Sequence, residues 1–246
     1  MYGKLCTEFY DLVEHSDGAA ALRFYREYAL QSPGPILEPM CGTGRFLIPL
    51  LQLGLDIEGF DISEDMLHAL KEKWAGISDT PAPVWRESIQ NFKTQKLYSL
   101  IFIPYGSWGH ILDKESALGC LINIYNHLLE NGKLILAIDT IYSVSKDQKI
   151  WTKTTETKAN GQTVSLNSYI TYNRETQYYH TLCIYESTEN VAMRETQKFE
   201  MYLYRVGELD SLLEQAGFKE IQIYQNYRKD PITNPQAKLL IYEATK

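Results

Sequence analysis

The feature that most constrains this chain is the stretch ILEPMCGTGRFLIPLLQLG, which occupies residues 36–54. An apolar run ends near the carboxylate of Glu38, Gly42 and Gly44 follow, and a leucine-rich segment comes next. Glycines at these positions allow a tight turn and a close approach of the backbone to a ligand. A strand, a glycine turn and a helix in this order predict an α/β fold whose ligand binds beyond the carboxyl ends of parallel strands.

Residues 36–138 show this alternation of short apolar runs with helical patterns, which predicts a parallel sheet with crossover helices. Ser63 has the position of a helix N-cap. A further helix is predicted over residues 113–129, and the sequence ENG is expected to end it with a glycine turn. The predicted strands are PILEP, LDIEGF, APVWR, LYSLIFI and KLILAI.

After Thr140 the pattern changes to four segments rich in Thr, Tyr and Val that roughly alternate, as antiparallel strands do. ANGQ and NRET are suitable hairpin turns between them. A helix over 208–216 and two closing strands, FKEIQIY and KLLIYEA, complete the chain. The four segments are 149–158, 163–173, 177–187 and 196–205.

The predicted fold is therefore α/β: a Rossmann-like, doubly wound, seven-stranded and mostly parallel sheet with an antiparallel C-terminal hairpin. Residues 1–144 and 206–246 are expected to form the main domain. Residues 145–205 are expected to form an inserted antiparallel β-subdomain that serves as a lid or a dimer surface. Its many tyrosines could roof a pocket or only pack one face of the sheet.

Composition narrows the classes of partner. The net charge is −7 and no dense cluster of Lys and Arg occurs, so a nucleic-acid partner is not expected. No stretch approaches the roughly 18 apolar residues of a membrane span, and the N-terminus does not resemble a signal peptide, so a cytoplasmic protein is expected. No metal site is expected, because the cysteines lack zinc-ligand spacing; they are Cys6, Cys41, Cys120 and Cys183.

Asp61 follows the second predicted strand, 19 positions after Gly42, where its carboxylate can accept both hydroxyls of a ribose. A dinucleotide site usually keeps a third glycine, but this chain has Leu47 there, and Glu38 would repel a pyrophosphate. The ammonium of an aminoacyl group would instead suit Glu38. A nucleoside that carries an aminoacyl group is S-adenosylmethionine, although Glu38 could also cap the next helix and Asp61 could be a helix-start carboxylate.

The motif ExxCGTG followed by GFDISEDML resembles the cofactor-binding signature of class I S-adenosylmethionine-dependent methyltransferases. The resemblance covers residues 34–140 and continues through LLEQAGFKEI. It is closest to small-molecule N- and O-methyltransferases, including aminodeoxysugar N-methyltransferases and relatives of glycine N-methyltransferase. It implies methyl transfer to a nitrogen or oxygen of a small acceptor by in-line displacement, with nitrogen favoured. The alternatives are an NAD(P)-dependent oxidoreductase and a catalytically silent cofactor-binding or regulatory protein.

The resemblance also implies a cofactor site. Asp61 would hold the ribose, and Ile62 and Met66 would border the adenine. The family's acid and apolar residue after the third strand correspond to Ser88 and Ile89, with the acid displaced by one position. Ser99, in the place of a family acid on the fourth strand, is expected to be structural. The full expected set is Tyr10, Glu38, Met40, Cys41, Gly42, Gly44, Asp61, Ile62, Met66, Glu87, Ser88, Ile89 and Pro104.

The acceptor is expected beside IPYGSWGHI, residues 103–111, which follows the fourth predicted strand. This run lacks the acid or amide that base-modifying methyltransferases place before a proline pair, so a nucleobase acceptor is disfavoured. Three aromatic residues are expected to face the sulfonium through cation–π attraction, namely Tyr105, Trp108 and Tyr10. His110 is the candidate general base, with Asp139 as a second candidate, although His110 could equally be a loop histidine bonded to the backbone.

Overall fold

The computed structural model describes residues 2–13, 17–144, 149–158, 161–187 and 193–246. Within these ranges the helices are α1 Lys4–Leu12, α2 Gly18–Gln31, α3 Leu47–Leu51, α4 Glu64–Ala75, α5 Lys114–His127 and α6 Asp210–Ala216. The strands are β1 Ile36–Pro39, β2 Ile57–Asp61, β3 Val84–Arg86, β4 Tyr98–Ile103, β5 Leu128–Asp139, β6 Trp151–Thr157, β7 Thr163–Asn173, β8 Tyr178–Ser187, β9 Arg194–Tyr202, β10 Lys219–Tyr224 and β11 Leu239–Thr245.

Seven strands form the main sheet, in the order β10-β11-β5-β4-β1-β2-β3. Strands β1 to β5 pair in parallel, whereas β11 pairs antiparallel with both β5 and β10. The predicted doubly wound sheet with an antiparallel C-terminal hairpin is therefore confirmed.

Helices cover both faces of this sheet, which explains why its central strands are continuous apolar runs. All six residues of β4 are buried. Because successive side chains of a strand point to opposite faces, Leu100 and Phe102 pack towards α2, α3 and α4, while Ile101 and Ile103 pack towards α5 and α6. The helix α4 begins as expected, because the hydroxyl of Ser63 accepts a hydrogen bond from the Met66 N–H at 3.3 Å.

The remaining strands form a separate antiparallel sheet in the order β6-β7-β8-β9, as predicted for the insertion. Helix α1 packs on it through Leu5, Cys6 and Phe9. After β9, Tyr204 bridges to Thr140 at the end of β5, so the excursion returns to the point where it left the main sheet. Residues 145–148, where the predicted subdomain begins, and the first two residues of the predicted ANGQ turn lie outside the described residues.

The predicted end of the fifth helix was wrong. Helix α5 ends at His127, and β5 begins at Leu128 rather than after the ENG sequence. Leu128 is fully buried and pairs with Tyr98, so the chain enters the sheet directly. ENG lies within β5, where Asn131 adopts a φ of 62° and the pairing with β4 shifts register. The glycine that we expected to end the helix therefore belongs to an irregularity in a strand.

Candidate functional site

A cavity of about 550 Å³ opens at the carboxyl ends of β1, β2, β3 and β4 and extends to the end of β5. Its volume lies within the roughly 300–1,000 Å³ that is usual for small-molecule sites. The four-stranded sheet and α1 close it from the other side through Tyr2, Tyr10, Lys198, Phe199, Glu200 and Met201. The site therefore lies between the two sheets.

Asp61, the last residue of β2, lines this cavity with a fixed carboxylate. Its Oδ2 accepts the Gly42 N–H at 2.9 Å and its Oδ1 accepts the Ser63 N–H at 2.8 Å. The side chain is only 8% exposed, and this burial raises its pKa, although the backbone N–H groups oppose the shift. Each oxygen keeps a further lone pair, so the carboxylate can accept hydrogen bonds from a ligand.

The glycine turn after β1 holds the Asp61 carboxylate and leaves space for a ligand beside it. Gly42 has a φ of +53° and lines the cavity, so its backbone approaches any ligand without a side chain between them. Gly44 has a φ of +81°, and a Cβ there would lie 2.8 Å from Leu70 of α4. Gly44 therefore serves the packing of the turn against α4 and does not reach the cavity.

Glu38 lies behind the glycine turn and is 1% exposed. Burial and, to a lesser degree, Asp61 raise the pKa of its carboxyl well above the usual range, while the N–H of Leu47 opposes this. Its Oε2 has no hydrogen-bond partner among the described residues. Leu47 begins α3, so the helix-capping interpretation of Glu38 holds in part. Four predicted cofactor residues, namely Glu38, Cys41, Gly44 and Pro104, thus do not line the cavity.

The predicted adenine residues lie together on the other side of Asp61. Ile62, Met66, Glu87, Ser88 and Ile89 all line the cavity. The Glu87 carboxylate accepts the Ser88 N–H at 2.9 Å, so it is turned towards its own backbone. The Ser88 hydroxyl is buried and has no partner among the described residues. A polar atom of this kind usually meets a ligand or a water.

His110 also lines the cavity, in a 3₁₀ turn at Ser107–His110. Its Nδ1 lies 3.2 Å from the carbonyl oxygen of Glu200, and its Nε2 lies 3.2 Å from the Tyr2 hydroxyl. A carbonyl can only accept, so Nδ1 carries the proton and Nε2 accepts the Tyr2 O–H. Burial lowers the pKa of the imidazole and favours this neutral form. The backbone-bonded alternative is therefore seen, and it leaves Nε2 unprotonated.

Trp108 is not where we expected it. It is fully buried in the core, and its indole N–H donates to the Tyr204 hydroxyl at 3.0 Å. It does not line the cavity. Tyr105 does line it, with a backbone φ of 54°, and the guanidinium of Arg45 lies 4.8 Å from the Tyr10 ring centre and 6.0 Å from that of Tyr105. Tyr105 and Tyr10 therefore share one cationic neighbour at the cavity wall.

Several lining residues were not identified from the sequence. Those on β9 belong to an alternating strand that gives no sign of which face meets a ligand. Gln90, Ser107 and Ile111 adjoin predicted positions, and proximity along the chain was the available signal. The missed residues are Tyr2, Gln90, Ser107, Ile111, Lys198, Phe199, Glu200 and Met201. The described part of the chain contains no group of three or more His, Cys, Asp or Glu residues that could hold a metal ion.

Rossmann-like folds typically bind a nucleoside cofactor with a glycine turn after β1, an acid at the end of β2 and a cavity at the sheet's switch point, and this chain has all three. Residues 36–132 match the family model described as a methyltransferase domain. This part of the chain is therefore similar to a methyltransferase domain, which agrees with the resemblance noted in the sequence.

Two curated relatives are also described as methyltransferases. A putative methyltransferase from Geobacillus sp. (strain WCH70) is 24% identical over 119 residues, which cover 48% of each chain. The match thus spans about half the length of that relative. The putative methyltransferase YqeM from Bacillus subtilis is 20% identical over 223 residues, covering 89% of this chain and 87% of the relative.

Solved structures share the fold over nearly the whole chain. The CcbJ methyltransferase from Streptomyces caelestis superposes with a TM-score of 0.78 at 19% identity, covering 99% of this chain and 96% of the other. The sugar N-methyltransferase KedS8 from Streptoalloteichus gives 0.76 at 18% identity, with coverage of 97% and 92%. CalS10, an amino pentose methyltransferase from Micromonospora echinaspora solved with S-adenosylmethionine, gives 0.71 at 14% identity, with coverage of 100% and 98%.

One further finding concerns the helices. In the ranges that the structure describes, none is long and apolar enough to cross a membrane.

Proposed function

We propose that this protein transfers a methyl group from S-adenosylmethionine to a nitrogen of a small-molecule acceptor. The observation that carries the proposal is the Asp61 carboxylate, held beside Gly42 in the cavity of a methyltransferase domain. An acid at the end of the second strand is suited to the two hydroxyls of a ribose. A sugar N-methyltransferase and an amino pentose methyltransferase among the similar structures favour nitrogen over oxygen.

The residues around Asp61 fit the rest of the cofactor. The unpartnered hydroxyl of Ser88 is suited to the adenine amino group, and Ile62, Met66 and Ile89 supply apolar contacts for the ring. The turn at Met40 and Gly42 would hold the methionine part, and the ammonium group of that part would favour the ionised form of the Glu38 carboxyl behind the turn. When bound, the cofactor supplies an electrophilic methyl group on a sulfonium.

The acceptor side would act mainly by positioning. Holding donor and acceptor in line can supply about 7–11 kcal/mol of the barrier. Tyr10 and Tyr105 present aromatic rings to the cavity, which suit a cationic centre by about 0.5–2 kcal/mol. A nitrogen attacks only when it is neutral, so a base must take its proton; the candidates in the cavity are the Asp139 carboxylate and the Nε2 of His110, which is reached through the Tyr2 hydroxyl.

We also propose that residues 145–205 form a functional insertion in the domain made by residues 1–144 and 206–246. Its strand β9 lines the acceptor side of the cavity, which favours the lid over the dimer-surface alternative. Phe199 of β9 contacts Tyr2, which precedes α1, with ring centres 4.9 Å apart, so the lid and the N-terminal segment form one wall.

Titration calorimetry tests the cofactor assignment. The wild-type protein should bind S-adenosylmethionine and S-adenosylhomocysteine but not NAD. Asp61→Ala should weaken both by roughly 1.5–3 kcal/mol, the scale of hydrogen bonds to a charged group. Asp56→Ala is a matched control, because this acid precedes the other end of β2 and pairs with Lys96. An unchanged dissociation constant in Asp61→Ala, or binding of NAD, would refute the assignment. Tight cofactor binding without turnover of any amine or phenol would indicate a regulatory protein.

A further inference from the structure

Asp139, the last residue of β5, is a cavity-lining carboxylate that the cofactor assignment does not use. Its backbone is fixed, because its carbonyl accepts the Tyr204 N–H at 3.1 Å and its strand pairs with β11. Its side chain makes no hydrogen bond or ion pair with any residue that the structure describes. A half-buried carboxylate that lines a cavity and has no protein partner is available to accept hydrogen bonds from a ligand.

The neighbouring turn is built around this carboxylate. A Cβ at Gly106 would lie 2.3 Å from Asp139 Oδ2, so the oxygen occupies the space that any other residue would fill. Gly106 has a φ of +68°, and the preceding Tyr105, also left-handed, lines the cavity. Burial, followed by Asp17, raises the pKa of Asp139 to about 6, which still leaves it ionised at neutral pH.

The position of β5 places Asp139 on the acceptor side. In the main sheet β5 is three strands from β2, with β4 and β1 between them. Adjacent strands lie about 4.8 Å apart, so Asp139 is roughly 14 Å across the sheet from Asp61. A ribose at Asp61 leaves the β4 and β5 end of the cavity to the other substrate.

The charges of the cavity favour a cation there. Among its described lining residues are the carboxylates of Asp61, Glu87, Asp139 and Glu200, against one lysine, Lys198. A carboxylate beside aromatic rings is a suitable environment for an ammonium group.

We infer that Asp139 binds the amino group of the acceptor, and that the acceptor is a small aliphatic amine which enters in its cationic form. This inference rests on the proposed function and names its substrate class. The ammonium donates to the Asp139 carboxylate. One N–H proton then passes to the carboxylate, which gives a neutral amine and a carboxylic acid and needs no other reactant. The freed lone pair is then available to the electrophilic methyl group that the cofactor would supply when bound.

The test measures amine binding separately from cofactor binding. Wild-type protein saturated with S-adenosylhomocysteine is titrated with aminosugars and aliphatic amines, each beside its hydroxyl parent. Amines should bind roughly tenfold or more tightly than the parents, and Asp139→Asn should weaken them roughly 20-fold or more, the scale of a charge-assisted hydrogen bond. The same variant should keep its affinity for S-adenosylhomocysteine within about twofold. Glu115→Gln, which removes one charge from an exposed position outside the cavity, should change neither affinity.

Three outcomes decide the inference. Equal binding of amines and hydroxyl parents, no amine binding at all, or unchanged amine affinity in Asp139→Asn would each overturn it. A thermal melt of the variant, with Asp139→Ala measured in parallel, separates lost binding from lost folding. If wild-type protein fails to bind S-adenosylhomocysteine, the proposed function fails instead, and the amine titration repeated without the cofactor product still decides the role of Asp139.

Discussion

At the residue scale, the Asp139 carboxylate restricts position 106 of the neighbouring turn to glycine. Gly106→Ala adds a Cβ 2.3 Å from Asp139 Oδ2 and places alanine at a φ of +68°. We expect a loss of about 2–4 kcal/mol of unfolding free energy, since a left-handed non-glycine residue costs about 1–3 kcal/mol and the displaced carboxylate adds to it. Urea unfolding measures the loss.

Gly54→Ala is the matched control for this prediction. Gly54 also has a positive φ, +75°, but a Cβ there meets nothing within 4 Å. Its loss should be confined to the backbone cost, about 1 kcal/mol. Equal losses in the two variants would show that the carboxylate moves away freely and that the cavity does not hold it in place.

Asp139 also gives a pH-dependent prediction. Its folded-state pKa is raised from 3.8 to about 6, so the folded protein binds this proton more tightly than the unfolded chain. Stability contributed in this way is lost as the pH rises through that interval. Asp139→Asn should therefore be more stable than wild type by about 1–2 kcal/mol near neutral pH, after a discount for partial solvent access.

The measurement is urea unfolding at about pH 7.5 and about pH 5, where the advantage of Asp139→Asn should shrink. The groups that face Asp139 are Asp17 of the α2 N-cap, Tyr179 of β8 and Tyr227 after β10. The two tyrosines have raised pKa values and stay neutral over this range. An advantage that is the same at both pH values would mean that the carboxylate is not the source. If Asp139→Asn is more stable than wild type, Asp139 does not serve stability, which is expected of a residue that serves binding.

At the scale of elements, the parts of the site that the sequence predicted are those made by neighbouring residues. The glycine turn, Asp61 and the Ser63 cap lie within one strand–turn–helix unit and one strand–helix junction, so their geometry follows from local rules. The strand order follows from the alternation of strands and helices over residues 36–138. Local patterns fix which residues end the strands, and strand ends are where the cofactor side of the cavity is built.

Contacts between distant elements could not be predicted in this way. Phe199 and Met201 reach the cavity only because the four-stranded sheet docks over the main one. Trp108 and His110 are two residues apart in one turn, yet one is in the core and the other lines the cavity. The choice depends on Tyr204 and Glu200, which come more than 85 residues later and supply the partners of Trp108 and His110. Helix and strand periodicity carries no information about such partners.

On the scale of the whole molecule, the cavity has two walls with different origins. The main sheet contributes the strand ends that carry Asp61 and Asp139, and the four-stranded sheet with α1 contributes Phe199, Tyr2 and the carbonyl that orients His110. Helix α1 joins the walls, because the Arg45 guanidinium of the glycine turn donates to the Tyr10 carbonyl at 2.9 Å. The cofactor assignment lies on the first wall and the acceptor contacts lie on both.

This division predicts that substitutions on the two walls separate two affinities. Phe199→Ala removes an aromatic ring from the acceptor wall and should raise the KM of the acceptor roughly 5- to 30-fold, about 1–2 kcal/mol of lost apolar contact. Its dissociation constant for S-adenosylhomocysteine should stay within about twofold, whereas Asp61→Ala should show a large loss of that affinity. Thr196→Ala, on an exposed position of the same strand, is the control. Phe199 also packs against Tyr2, so the variant tests both walls. If Phe199→Ala loses affinity for the acceptor and for S-adenosylhomocysteine, the second wall contacts the cofactor as well, and the proposed division between the two walls is wrong.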